Sequence, residues 1–198
     1  PPAPFNPTQF IRAAGSIGYS AQRAMSIAED LYTAGFVTYP RTDNTVYPED
    51  LDARELLEAL AAGRSFGDDA ETLAERDEIE PTAGDTETTD HPPIHPTGEL
   101  PSASELSDDE WEVYELVVRR FLATVADPAE WEHLRVVARV GDDEELTLKA
   151  NGKRLLDPGY HAVYPYYNAS ESIVPDVEEG AELAVTDTRI EDKETQPP

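Results

Sequence analysis

The chain has 198 residues, 39% of them hydrophobic and 8% aromatic, with 42 Asp and Glu against 15 Lys and Arg for a net charge of -27. Such a length can bury a sizeable core as one large domain or two small ones, and the acid excess argues against a generic basic nucleic-acid binder and against an anionic membrane surface. The lack of Cys excludes disulfides and thiolate zinc sites, and no apolar run approaches the length of a membrane span.

Asn6-Pro7 reads as an N-cap followed by proline at the first helical position, which predicts a short helix over about 7–15. Ser20 is a second N-cap. Ala24, Ile27, Ala28 and Leu31 then recur at helical spacing, and Gly35 supplies the stop. Phe36–Tyr39 is a short extended run ending at Pro40, because a residue before proline is pushed out of the helical region. Asp43-Asn44 continue as turn chemistry. Pro48 is expected to open a helix with Leu51, Leu56, Leu57 and Leu60 on its apolar side, closed by Gly63. Residues 68–90 hold ten acids and one base, Arg76, and are expected to be largely a mobile loop. His91 to Thr97 is a proline-rich extended stretch.

Ser107 to Glu110 forms a capping box for a helix carrying Trp111, Tyr114, Leu116, Val117, Val118, Phe121 and Leu122, stopped by Asp127-Pro128. The texture then changes. Leu134–Val140, Glu145–Leu148, Ala162–Tyr166 and Leu183–Ile190 are β-branched or alternating runs and are expected to be strands. The fold class is therefore α+β: a mainly helical domain over 5–128, followed by mainly antiparallel β over 129–198. Pro1 at the start and Pro197-Pro198 at the end predict a piece of a longer protein. No secretory leader is recognised, and a cytoplasmic location is expected.

Only three of the basic residues are Lys (Lys149, Lys153, Lys193) and twelve are Arg. Acid-rich, Lys-poor surfaces fit a protein that stays hydrated in concentrated salt, where the Debye length is about 3 Å and self-repulsion is muted. Residues 1–48 are neutral, with Glu29, Asp30 and Asp43 balanced by Arg12, Arg23 and Arg41. A neutral segment in so acidic a chain is either a contact for something anionic or simply buried.

Three groups could carry chemistry. Tyr39 and Arg41, two apart, share a face if the backbone is extended. A tyrosine hydroxyl ordinarily titrates near pH 10 and is a poor nucleophile; a guanidinium nearby favours the phenolate and can fork onto a phosphate. The pair suits in-line attack on a phosphodiester, or is a strand-end tyrosine beside a surface arginine. His91 and His95 have the i, i+4 spacing of a helical metal site, but the prolines between them argue against a helix, and two ligands are not a zinc site. A phosphate-contacting imidazole and a turn-packing role stay open. Tyr160, Tyr164, Tyr166 and Tyr167 either stack on bases or fill a sheet face.

The string from Pro4-Phe5-Asn6 through Ser20-Ala21 to Gly35-Phe36-Val37-Thr38-Tyr39-Pro40-Arg41-Thr42-Asp43 resembles the active-site region of type IA DNA topoisomerases. Thr88-Thr89-Asp90-His91-Pro92-Pro93-Ile94-His95-Pro96-Thr97 resembles the second signature of their archaeal branch. The β segment matches by order and texture only. The resemblance implies that Tyr39 attacks one DNA strand and holds its 5′ phosphate as a covalent ester, so simple relaxation of negative supercoils needs no nucleotide cofactor. It implies that Arg41 positions the scissile phosphate and that His91 assists binding or cleavage nearby. Separately, in so acidic a chain DNA binding must come from local groups, and Arg12 in the neutral segment is expected to contact phosphate beside Arg41 and His91. It further implies a helical tyrosine domain followed by part of a β gate arch, with 1–4 as connecting arm. Mg²⁺ is expected only in the full-length enzyme, on a Toprim-type domain absent from this sequence, so no metal site and no cofactor are expected here and the segment alone is expected to be inactive. The expected partners are single-stranded DNA or locally unwound duplex and the remaining domains of the same chain, with no membrane. The competing reading is a non-catalytic, acidic, salt-adapted interaction module.

Overall fold

The computed structural model describes residues 1–141, 147–167, 170–187 and 189. Among them are five α-helices followed by a two-stranded antiparallel ribbon, an α+β arrangement. Helix α1 (Pro7–Ser16) starts where Asn6 Oδ1 accepts from the Gln9 N–H at 2.9 Å. Helix α2 (Ala21–Thr33) is capped by Ser20 and buries Ala24, Ile27, Ala28 and Leu31. Helix α3 (Ala53–Leu60) begins five residues later than Pro48, because the Asp52 carboxylate caps the Glu55 N–H at 3.0 Å and Pro48–Leu51 is spent on a turn.

The acidic stretch is not a loop throughout. Helix α4 (Gly67–Ala74) occupies its start, with Asp68 and Asp69 favourably placed in the first turn and Ala70, Leu73 and Ala74 buried. The Arg54 guanidinium binds the carbonyls of Ala74, Arg76 and Asp77 beyond its C-terminus. The extended chain that follows is tied down as well: Thr82 donates its N–H to Thr124 O and its hydroxyl to Pro2 O. Acid count predicted mobility; the helical spacing of Ala70, Leu73 and Ala74 and the contacts of Arg54 decided otherwise.

Helix α5 (Asp108–Val125) carries the capping box from Ser107 and is buried on most of its circumference, as expected of a central helix. Helices α1, α2 and α4 and the N-terminal arm pack against it, and α3 packs on α4. Arg120 donates to Ala3 O at 2.8 Å and lies 4.4 Å over the Phe5 ring, which fixes that arm to α5. No helix among the described residues is long and apolar enough to cross a membrane.

The β part is smaller than expected. Strand β1 (Glu130–Arg139) pairs with β2 (Thr147–Asp157), with Leu134 opposite Gly152. Ala162–Tyr166 is no strand. It follows a 3-10 turn at Gly159–His161, and Val163 and Tyr164 are buried against the helical core, so burial overrides β propensity. Leu183 and Val185 are exposed, and residues 183–187 form no strand; lone apolar alternation without a partner ladder does not hold an extended chain. Residues 145, 146, 188 and 190 of the expected strands lie outside the described residues.

Candidate active site

The end of α2 aims the chain at the site. Gly35 sits at φ 87°, a left-handed conformation that suits glycine. Gly35 N–H bonds Tyr32 O and Phe36 N–H bonds Leu31 O, both at 3.0 Å, the pattern of a Schellman stop. The reversal buries Phe36 and Val37 and leaves Tyr39 half-buried at the end of a short extended run.

That run pairs with the proline-rich stretch. Thr38 N–H donates to His95 O at 2.9 Å, and Thr97 N–H to Phe36 O at 3.1 Å. The Thr38 hydroxyl donates to Pro93 O at 2.8 Å, satisfying a carbonyl in a stretch where proline supplies no N–H. Beyond Arg41 a second clamp closes. Thr42 Oγ1 donates to His91 O at 3.1 Å; Asn44 Nδ2 reaches His91 O at 3.1 Å and Thr88 O at 2.9 Å. Thr45 exchanges bonds with Thr86 from both its backbone and its hydroxyl. Thr42, Asn44 and Thr45 are all buried, so these bonds are made out of water and leave few backbone groups unpaired.

The two clamps bring Tyr39 and His91 together: their ring centroids are 4.7 Å apart. His91 is exposed. The Tyr32 ring meets Tyr39 edge-on at 5.1 Å. Arg41 is exposed and turns to α2, where Nε and one terminal nitrogen both bond Glu29 Oε1, at 2.8 and 2.5 Å. Glu29 and Tyr32 are three apart on one helix face, so α2 presents one group to each of the two loop residues. Beside Arg41 a groove of about 410 Å³ is floored by Pro7, Ile11 and Met25 and rimmed by Thr42, Asp43 and Asp90. The Asp90 carboxyl is held below its usual range by hydrogen bonds from the Thr88 side chain and the backbone of His91 and Asp90 itself.

Other candidates separate. His95 lies in the core with its ring against Tyr47 and Phe121. Its Nδ1–H donates to Pro96 O at 2.8 Å, and burial pushes its pKa down to about 4. It is a packing histidine, and His91 is the one at the surface. Arg12 is exposed on α1, outside the residues that line the groove. No group of three or more His, Asp or Glu able to hold a metal is found among the described residues. Of the tyrosines weighed for base stacking, Tyr164 is buried, Tyr160 and Tyr166 are half-buried, and only Tyr167 is open. Sequence reasoning passed over Glu29, Tyr32, Thr42 and Asn44. The one available signal was a run of Thr and Asn beside a fixed proline, which read as a solvated turn.

Comparison with known proteins bears on this arrangement. The sequence model of a family described as DNA topoisomerase matches residues 1–198. The DNA topoisomerase 1 of Archaeoglobus fulgidus is 45% identical over 197 residues, covering 100% of this chain and 29% of that protein. The Thermoplasma acidophilum DNA topoisomerase 1 is 38% identical, again over 100% of this chain and 25% of the relative. The structure of topoisomerase I from Thermotoga maritima superposes with a TM-score of 0.64 at 26% identity, covering 91% of this chain and 29% of that one. The chain thus spans only between a quarter and a third of the length of these relatives. With a family match along its whole length, the chain belongs to the type IA DNA topoisomerases.

Proposed function

We propose that this chain is the tyrosine-bearing gate segment of an enzyme that cleaves and rejoins one DNA strand through a 5′-phosphotyrosine, letting a second strand pass and relaxing negative supercoils. In the forward step the Tyr39 oxygen bonds to phosphorus and the bond from phosphorus to the 3′ oxygen breaks. The tyrosine gives up its proton, and the departing 3′ oxygen gains one. Reversal restores the strand with no net energy input, since one ester replaces another. The observation that carries the reading is the meeting of Tyr39 and His91, residues far apart in sequence, at 4.7 Å between ring centroids. In this reading His91 contacts the phosphate that Tyr39 attacks, and Arg41, two residues on from Tyr39 and paired with Glu29 in the free chain, leaves that carboxylate to fork onto the phosphate oxygens. The non-catalytic alternative is not favoured, because relatives named DNA topoisomerase match the whole chain.

The described residues do not offer a set of His, Asp or Glu fit for Mg²⁺. Metal binding and the remaining machinery belong, in this reading, to parts of the whole protein beyond this segment. DNA with single-stranded character is the partner, inside the cell, and the Lys-poor acidic surface supports adaptation to concentrated salt. The test is covalent trapping with the whole protein: a denatured adduct should carry the 5′ end of a labelled strand and vanish in Tyr39→Phe. An adduct that survives Tyr39→Phe overturns the assignment.

A further inference from the structure

In an antiparallel ribbon, residues directly opposite each other project to the same side. One side of the β1–β2 ribbon contains His133, Arg135 and Arg139 from β1 and Lys149 and Lys153 from β2. Four of the fifteen Lys and Arg of the chain therefore stand together, and none of the ten paired residues on this side is Asp or Glu. The opposite side differs. It holds Leu134, Val136 and Ala138 and an ion pair between Arg154 and Glu132 at 2.7 Å, and Val174 packs over Gly152.

Two of these cations have no use inside the described structure. Arg135 and Lys149 are exposed and make no ion pair there. Lys153 sits directly opposite His133, and its ammonium lies 3.6 Å from the centroid of the Trp131 ring. Glu171, on the segment that bridges β2 through Ser172 and Lys153, is occupied by the Leu155 N–H at 2.8 Å. In a chain with nearly three acids per base, setting Arg135 and Lys149 on a strand face whose ten paired residues include no carboxylate adds local repulsion that an anionic ligand would offset.

We propose that this side of the ribbon is a second nucleic-acid contact surface, taking the phosphodiester backbone of DNA apart from the Tyr39 loop. The proposal rests on the DNA-directed reading above but not on the chemistry of Tyr39. Lys149 and Lys153 are four residues apart on β2, about 13 Å, which spans several phosphates of one DNA strand, and Arg135 stands beside them on β1. A two-stranded ribbon also has the width to enter a major groove. Toward the base of the ribbon, Trp131 meets His161 at 6.0 Å and His161 meets the exposed Tyr167 at 4.8 Å, so an aromatic surface continues the cationic one.

The absence of Cys gives a direct test, because one introduced thiol is unique. Val137 is 51% exposed on the cationic side, and Leu148 is 57% exposed on the other. The rate of maleimide labelling is measured for Val137→Cys and for Leu148→Cys, with and without a single-stranded or a duplex oligonucleotide. Labelling of Val137→Cys should slow several-fold with at least one of the two, and labelling of Leu148→Cys should not change. Adding Arg135→Gln and Lys149→Gln should remove the protection and lower the salt slope of single-strand binding by about 1.4, two phosphate contacts' worth. Arg154→Gln, which removes a charge from the opposite side, should leave both as they were. Equal protection at the two thiols, or none at Val137→Cys with either oligonucleotide, overturns the proposal. Protection lost on Arg41→Ala also overturns it, since the ribbon would then not bind independently. Protection that persists while the covalent adduct of the whole protein survives Tyr39→Phe would instead sink the catalytic reading and leave the ribbon surface standing.

Discussion

The Arg41–Glu29 pair is the contact that the proposed phosphate binding by Arg41 would have to open. The pair is exposed on both sides, so its strength is that of a surface ion pair, about 0.2–1 kcal/mol. A phosphate that claims Arg41 must first displace this carboxylate. Glu29→Gln should therefore tighten single-stranded DNA binding by up to about fivefold. Asp30→Asn removes the same charge one position along α2 and serves as the control. Equal effects of the two substitutions in a fluorescence titration, or a Glu29→Gln effect that survives in Arg41→Ala, would refute the latch. His95 shows the opposite situation, a titratable group buried in the core. Its folded pKa, about 4, lies below its ordinary 6.5. The unfolded chain then binds the extra proton first, so stability is complete above pH 6.5 and falls as pH drops toward 4, by about 3 kcal/mol over the window. His161, lowered chiefly by burial and also by the Lys153 charge, adds to the loss in the same direction. Urea unfolding at pH 7.5 and pH 5 measures the drop, which should be shallower in His95→Gln; an unchanged slope would mean that His95 is not the proton acceptor.

The Schellman turn at the end of α2 is the element on which the position of Tyr39 depends. No atom would meet a Cβ on Gly35, so Gly35→Ala tests the backbone alone. Forcing alanine to φ 87° costs about 1–2 kcal/mol, or about 2–4 °C in Tm per kcal/mol, and any relaxation moves the extended run that carries Tyr39. Melting that is unaffected by Gly35→Ala would show that the turn holds no strain. This turn was legible in the sequence, as were the caps at Asn6, Ser20 and Ser107, because each depends on residues within one helical turn. The start of α3 was misplaced because Pro48 is as much at home in a turn as at a helix start, and Asp52 competed better. Helix α4 was missed because acid content masked the buried Ala70, Leu73 and Ala74. The strand expected at 162–166 failed because Val163 and Tyr164 found the face of α5, a partner no local pattern announces. The same limit applies at the site. Tyr39, Arg41 and His91 stood out by motif, whereas Asn44 acts through two carbonyls more than forty residues away and looked like any loop asparagine.

At the scale of the whole molecule the charge of -27 dominates behaviour in dilute buffer. Among the described residues, five ion pairs have at least one partner more than a third exposed, and they are too weak to offset the repulsion among so many carboxylates. The apolar core that opposes it is concentrated around α5, and the ribbon contributes little burial. Compaction brings the acids closer than they are in the unfolded chain, so screening favours the folded state. The Debye length falls from about 30 Å at 10 mM salt to about 3 Å at 1 M. We therefore expect Tm to climb steadily across this range of KCl, with each 1 kcal/mol of relieved repulsion worth about 2–4 °C for a chain of this size. Replacing several exposed glutamates, for example Glu58, Glu71 and Glu178, by glutamine should raise Tm at 10 mM and flatten the climb, because less repulsion is left to screen. A general excluded-salt effect would instead act equally on the parent and the charge-reduced variant. Parallel melting curves with unequal charge would overturn the electrostatic account, and curves that converge at high salt would support it.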